Sequence, residues 1–254
     1  MSEPETGLPA SLEMAWGLRE RPAKGPRPGL GLDRIVNAAI ALAAREGIEA
    51  VSMGRVAKEL GASTMSLYRY VAAKDELYLL MADAGVGTPP PVPEGTTGWR
   101  ALLTAWTYAQ REVLHRNTWL LRLPIASPPA APHQVAWMER GLAALESTGL
   151  DGAEQLGIMT LIYGYVRTDA TIVADHRDAI ARSGATPEQV LARYAHTLRR
   201  FTDPERQPAI TRLLDAGVFT GVDEDPDADF RFGLDRILDG LDLLIARRTN
   251  APDA

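Results

Sequence analysis

The sequence predicts an all-α chain in two parts, a small amino-terminal bundle and a larger helical region, and three observations carry that expectation. Every long segment repeats its apolar residues with a period near 3.6, and none alternates at the period of 2 that a half-buried strand requires. Two motifs, Asp151-Gly-Ala-Glu154 and Thr186-Pro-Glu-Gln189, have capping-box spacing, in which two residues three apart exchange hydrogen bonds with each other's backbone N–H; Pro187 sits where a first-turn proline is tolerated. Between the two parts, GTPPPVPEGTTG at 87–98 sets four prolines among glycines, a composition no helix passes through.

Residues 1–30, rich in Pro and Gly, are expected to form a flexible basic arm, with a short helix near 12–18 anchored by Trp16. Asp33 is a candidate N-cap for a helix over 33–46, whose Ile35, Ala39, Leu42 and Ala43 share one face before Gly47 ends it. Ser52 would cap a second helix reaching Leu60, with Val56, Ala57 and Leu60 turned inward, and Ser63 a third, very short one to about Tyr70. A fourth opens near Lys74 with Leu77, Leu80, Met81 and Ala84 on its buried side. Beyond the prolines, helices are expected over 99–116, 119–123, 133–148, 153–180, 188–201, 208–214 and 229–248. The expected domains are the arm at 1–30, the bundle at 31–86, a linker at 87–98 and the larger domain at 99–254.

Composition narrows the function. At 254 residues and 46% hydrophobic, the chain has ordinary globular composition. It has no cysteine, which excludes disulfides, thiol catalysis and Cys-type zinc sites. The absence of a long apolar run and of a signal-like start predicts no membrane partner and a cytoplasmic location. Net charge is −6, yet from Arg19 to Lys74 ten Lys/Arg face five Asp/Glu, so the amino-terminal quarter is basic inside an acidic protein. Chance gives such asymmetry, and so does a module that neutralises phosphates.

The second and third helices meet at Leu60-Gly61-Ala62, where a left-handed glycine allows a steep crossing, the arrangement of a helix-turn-helix. Ala38-Ala39 and Gly47, then Val56-Ala57 with Leu60-Gly61, Leu67-Tyr68 with Tyr70, and Lys74 followed by Leu77 make residues 33–83 resemble the amino-terminal domain of the TetR (tetracycline-repressor-like) family. The segments GLAALESTGL and FRFGLDRILDGLDLLIARR resemble, more weakly, the carboxy-terminal domain of tetracycline-repressor type.

That resemblance implies a three-helix helix-turn-helix DNA-binding domain followed by a helical ligand-binding and dimerisation domain. The implied function is a ligand-responsive regulator, a repressor released from a palindromic double-stranded DNA operator by a small, largely apolar effector, acting as a homodimer and needing no cofactor. It further implies that Ser63, Thr64, Met65 and Ser66 face base edges. Tyr68, Tyr70 and Lys74 would face phosphates, with Ser52 beside them and Arg55 or Arg69 as candidates for a guanine contact. Gly54 departs from the pattern, because many relatives carry a groove-reaching arginine there. Arg19, Arg21, Lys24 and Arg27 of the arm are candidates to replace it from the minor groove; a solvated basic tail is the alternative reading.

In the larger domain, Trp106, Trp119, Trp137, Met138, Met159 and Tyr163, with Tyr108, Tyr165 and Phe201, are candidate pocket liners, though apolar residues at helical spacing read equally as core. The four histidines lack metal-ligand spacing, and the neighbouring Asp169, Asp175 and His176 do not form a recognisable set, so no metal is expected. No phosphate-cradling loop or nucleophile elbow supports catalysis; an all-helical enzyme, a protein-interaction module and an activator of the same family are the alternatives. The last helix carries Phe230, Leu234, Ile237, Leu238, Leu241, Leu244 and Ile245 as a broad stripe, expected either to pair with a second copy or to pack within the chain.

Overall fold

The fold is that of a computed structural model, which describes residues 9–18, 30–124, 128–219 and 225–250. No strand occurs among them. The helices are α1 (Ala10–Ala15), α2 (Leu32–Glu46), α3 (Met53–Glu59), α4 (Thr64–Tyr68), α5 (Lys74–Val86), α6 (Trp99–Arg116), α7 (Pro132–Leu145), α8 (Gly152–Ser183), α9 (Pro187–Phe201), α10 (Pro208–Asp215) and α11 (Ala228–Asn250). Short 3-10 turns lie at Ile48–Ala50, Thr118–Arg122 and Glu146–Thr148. None of the helices of the described residues is long and apolar enough to cross a membrane.

Local chemistry sets most of the boundaries. Ser52 and Ser63 each accept a hydrogen bond from the backbone N–H three residues on, Arg55 at 3.3 Å and Ser66 at 3.2 Å, and so start α3 and α4. Both capping boxes form: Asp151 and Glu154 exchange bonds of 3.0 and 2.9 Å, and Thr186 pairs with Gln189. The first helix of the bundle begins earlier than its charge pattern predicts. Its cap is Gly31, in extended conformation, and Asp33 lies inside the first turn, where its charge faces the positive end of the helix dipole.

Packing divides the chain into two compact units, Met1–Ala170 with Leu241–Ala254, and Thr171–Gly240. In the first, α2 packs on α3 and α5, and α3 on α4. Ile35, Ala39, Leu42, Val56, Leu67 and Leu77 are buried there, and each large side chain contributes about 1.5–3 kcal/mol on leaving water. Arg111 of α6 meets Asp169 of α8 at 2.8 Å, so that aspartate is held by a cation. Among the described residues no group of three His, Asp or Glu side chains is placed to hold a metal ion. In the second unit, α9 and α10 pack together, with Tyr194 edge-on to Phe219. Of the α11 stripe, Phe230, Leu234, Leu238 and Leu241 are buried within the single chain; Phe232 and Leu243, outside that stripe, are exposed.

Gly61 is the turn of the helix-turn-helix. Its φ is +62°, its N–H bonds Lys58 O at 3.1 Å, and the Ala62 N–H reaches back to Ala57 O at 2.9 Å, which together close α3 as a Schellman motif. Gly54, two residues into α3, has ordinary helical geometry and open space where a Cβ would stand. The same substitution is therefore expected to act with opposite sign at the two glycines. In urea unfolding, Gly61→Ala should cost about 1 kcal/mol through left-handed strain, and Gly54→Ala should add about 0.5–1 kcal/mol by restricting the unfolded chain.

Candidate nucleic-acid interface and ligand cavity

The outer side of α4 is polar and open. Leu67 faces the core, while Met65 is 74% exposed and Tyr68 45% exposed. Ser63 and Ser66 share a 2.8 Å hydrogen bond, so the cap of α4 already orients both hydroxyls. Arg69 is exposed and makes no hydrogen bond or ion pair among the described residues. Lys74 is the first residue of α5 and lies 5.0 Å from the Tyr78 ring centre. The first turn of α5 also carries Asp75 and Glu76, whose charges face the positive end of the helix dipole, and Glu76 accepts the Ala72 N–H at 2.5 Å; Lys74 is the cation of that turn.

Two residues expected at this surface are engaged elsewhere. The Tyr70 ring is buried and its hydroxyl donates to Leu30 O at 2.7 Å, anchoring the entry to α2 instead of facing phosphate. Arg55 is bonded to Glu46 at 2.7 Å, and Glu46 also meets Arg45, which bridges to Glu59 at 2.8 Å. The bonds from Arg55 and then Arg45 hold the Glu46 carboxyl below the usual carboxylate range, and the bond to Glu46 raises Arg45. This network pairs Glu46 of α2 and Glu59 of α3 with two arginines. Ser52 spends its side chain on the α3 cap, and Arg19, Arg21, Lys24 and Arg27 lie outside the described residues.

Within the first unit lies a cavity of about 1080 Å³. Tyr78, Leu79, Ala82 and Val86 of α5 form one wall; Trp106, Gln110 and Leu114 of α6, Gln134, Trp137 and Met138 of α7, and Met159, Thr160, Tyr163 and Arg167 of α8 form the others. Five of the six expected liners are there. Trp119 is not: it packs against α5, where a Cβ added to Gly85 would stand 2.7 Å from its ring. Of the further aromatic candidates, Tyr108 and Tyr165 lie outside the lining, and Phe201 is 76% exposed. The two lining tryptophans spend their indole N–H groups on backbone, Trp106 on Trp137 O at 2.9 Å and Trp137 on Gly87 O at 2.8 Å, so they offer the cavity bare rings. Arg167 turns its donors to the carbonyls of Leu121 and Leu123, at 2.9 and 3.0 Å.

One side chain near the cavity had no sequence signal of its own. Asp83, which the expected buried side of α5 does not include, is buried, and Ala84, expected inside, is exposed. The reason is α7, whose N-cap position holds Ala131 and supplies no side-chain acceptor. Asp83 takes that role from another helix, accepting from the Gln134 N–H at 3.0 Å and meeting His133 Nδ1 at 2.8 Å. Asn117 Nδ2 donates to Gly85 O at 3.1 Å, and Arg140 bonds Pro90 O, so α6 and α7 grip the carboxyl end of α5 at several points.

Residues 35–81 match the family described as bacterial regulatory proteins, tetR family, and residues 90–245 match the tetracyclin repressor-like C-terminal domain. The chain is 38% identical over 244 residues to the HTH-type transcriptional repressor DrrR1 of Streptomyces coeruleorubidus, covering 94% of this chain and 87% of that protein. The chain belongs to the TetR family. It is a DNA-binding transcriptional regulator and not an enzyme. Among solved structures, apo ActR of Streptomyces coelicolor superposes with a TM-score of 0.69 at 28% identity, over 91% of this chain and all of that one. ActR bound to actinorhodin superposes with a TM-score of 0.67 at 27% identity, over 84% of this chain and 97% of that one.

Removing the acceptor at Asp83 leaves the third N–H of α7 buried without a partner. Asp83→Ala is expected to lower unfolding free energy by about 2 kcal/mol in urea titrations, and Asp83→Asn, which keeps an acceptor oxygen, by less than half of that.

Proposed function

We propose that the regulator is a homodimeric repressor whose effector is a flat, largely apolar molecule bound in the cavity against the rings of Trp106 and Trp137, and that α5 carries the signal from that cavity to the DNA. One observation supports this most directly. The same helix lines the cavity along its length, from Asp75 and Glu76 through Tyr78, Leu79 and Ala82 to Val86, and its first residue is the exposed Lys74. Thirteen residues of helix make a lever about 20 Å long.

On this reading Thr64, Met65 and Arg69 reach base edges, and Tyr68 and Lys74 hold phosphate. Ser63 and Ser66, already paired with each other, contribute the shape of the α4 start more than free donors. Exposed Leu161 of α8 and Leu243 of α11, both in the first unit, supply apolar surface for a second copy. Two reading heads would then meet successive major grooves about 34–36 Å apart. The cytoplasm, where the operator is, is the proposed location. By packing, the proline stretch at 87–98 lies within the first unit.

Effector binding works through differential affinity. A hundredfold loss of operator affinity requires the cavity to favour the released arrangement of α5 by about 2.7 kcal/mol. Aromatic rings without free indole donors favour stacking partners with few polar groups, and ActR in complex with actinorhodin makes that compound the first effector to try.

The test is fluorescence anisotropy of DNA from upstream of the regulator's own gene, across a salt series. Wild type should bind with a steep salt slope, and Lys74→Ala should reduce that slope by about 0.9. Tyr70→Phe should leave it unchanged, because that hydroxyl serves Leu30. Actinorhodin should quench tryptophan fluorescence and release the DNA together. Quenching with undiminished operator binding would remove α5 as the carrier of the signal, and salt-independent DNA binding would remove the phosphate assignments.

A further inference from the structure

We infer that α1, which lies ahead of the DNA-reading bundle in sequence, is part of the effector site: it closes one side of the cavity, and its Leu12 touches the bound effector. The inference rests on the cavity being the effector site. Pro9 and Leu12 line that cavity together with Pro128 and Pro129. Leu12 is 4% exposed, and the neighbouring Glu13, Met14 and Ala15 are only half-buried, so α1 has one face inward and the other toward solvent. It is a cover one helix thick.

A helix of six residues does not persist alone in water, because nucleation outweighs so few hydrogen bonds. What holds α1 is docking. It packs on α5, and the Trp16 indole N–H donates to Ala130 O at 2.9 Å, just past the two lining prolines. A Schellman turn at Gly17, φ +68°, ends the helix and sets Trp16 at the edge of the cover.

The docked state also contains a fault. The Ser11 hydroxyl is fully buried and has no hydrogen-bond partner among the described residues. Water would satisfy it when α1 lifts, so the closed state is penalised relative to the open one. A six-residue cover that owes its helix to docking, and is opposed by an orphaned hydroxyl, belongs to the parts of a fold that open most readily. Effector exchange therefore proceeds by release of α1, and Leu12 helps to select what the cavity retains.

Two substitutions separate this from a passive tail because they act in opposite directions. The probe is anilinonaphthalene sulfonate, a flat aromatic fluorophore, and its dissociation from the full-length regulator is followed by stopped flow. Leu12→Ala, and removal of residues 2–18, should speed dissociation about tenfold or more. Ser11→Ala should slow it about threefold or more. Affinity for upstream DNA without probe should be unchanged in Ser11→Ala. Equal dissociation rates in wild type and the deletion overturn the inference, as does slower release from Leu12→Ala. A wild-type protein that shows no saturable probe binding, or whose binding ignores Gly141→Ala, overturns the cavity reading itself and this inference with it. A Cβ at Gly141 meets the Met159 side chain and stands 2.9 Å from the Trp106 ring, so that variant reshapes the cavity wall.

Discussion

The carboxylate of Asp83 at the start of α7 is the contact on which the rest of the sensing region depends. A helix beginning Ala131-Pro132 has a good first-turn proline and no side chain to satisfy its third N–H. Asp83 answers that need from α5, and in doing so fixes where α7 begins. The position of α7 then decides where Trp137 stands. Trp137 ties Gly87 with its N–H and receives the Trp106 indole at its carbonyl, so a chain of hydrogen bonds runs from the end of α5 through both aromatic walls of the cavity. Burial of an unpartnered carboxylate is costly, which gives this arrangement a preference for all of its members or none.

The reading head solves a different problem with local means. Its core is small, and a Schellman turn at Gly61 sets the angle between α3 and α4 without needing bulk. Acids that would repel phosphate, Glu46 and Glu59, are matched by Arg45 and Arg55. Arg69, directly after α4, and Lys74, at the start of α5, are exposed cations in the bundle, although the chain as a whole is acidic. Charge here is arranged, not abundant, which is why net charge says so little about partners.

Features written in neighbouring residues were legible in the sequence: both capping boxes, the serine caps of α3 and α4, the glycine of the turn, the helical period and the family motifs. Five cavity liners were legible too, since large aromatic residues on central helices have few places to go. Features that depend on another element were not. Asp83 reads as a solvent-facing acid because nothing near it in sequence reveals that α7 lacks a cap. Ala131 before Pro132 was the available signal, an incomplete helix start that requires an acceptor from elsewhere. Tyr70 matched a phosphate position by motif, yet its hydroxyl found Leu30 O, forty residues away. The α11 stripe was correct in period and undecided in destination, because periodicity identifies an apolar face and not what covers it.

A helix that is both a cavity wall and the support of a reading head cannot move by small degrees. Gly85 of α5 lies against the Trp119 ring so closely that no Cβ fits, and Trp119 is itself buried. Any tilt of α5 must therefore carry Trp119 with it or open a gap beside it, and a close-packed interior resists intermediate positions. The carboxyl end of α5 is also held by bonds to Gly85, Gly87 and Asp83, which break or hold as a set. Packing and hydrogen bonding thus both resist small displacements of α5, which is what the proposed mechanism asks of it: a difference in effector affinity is then read as a discrete change of placement.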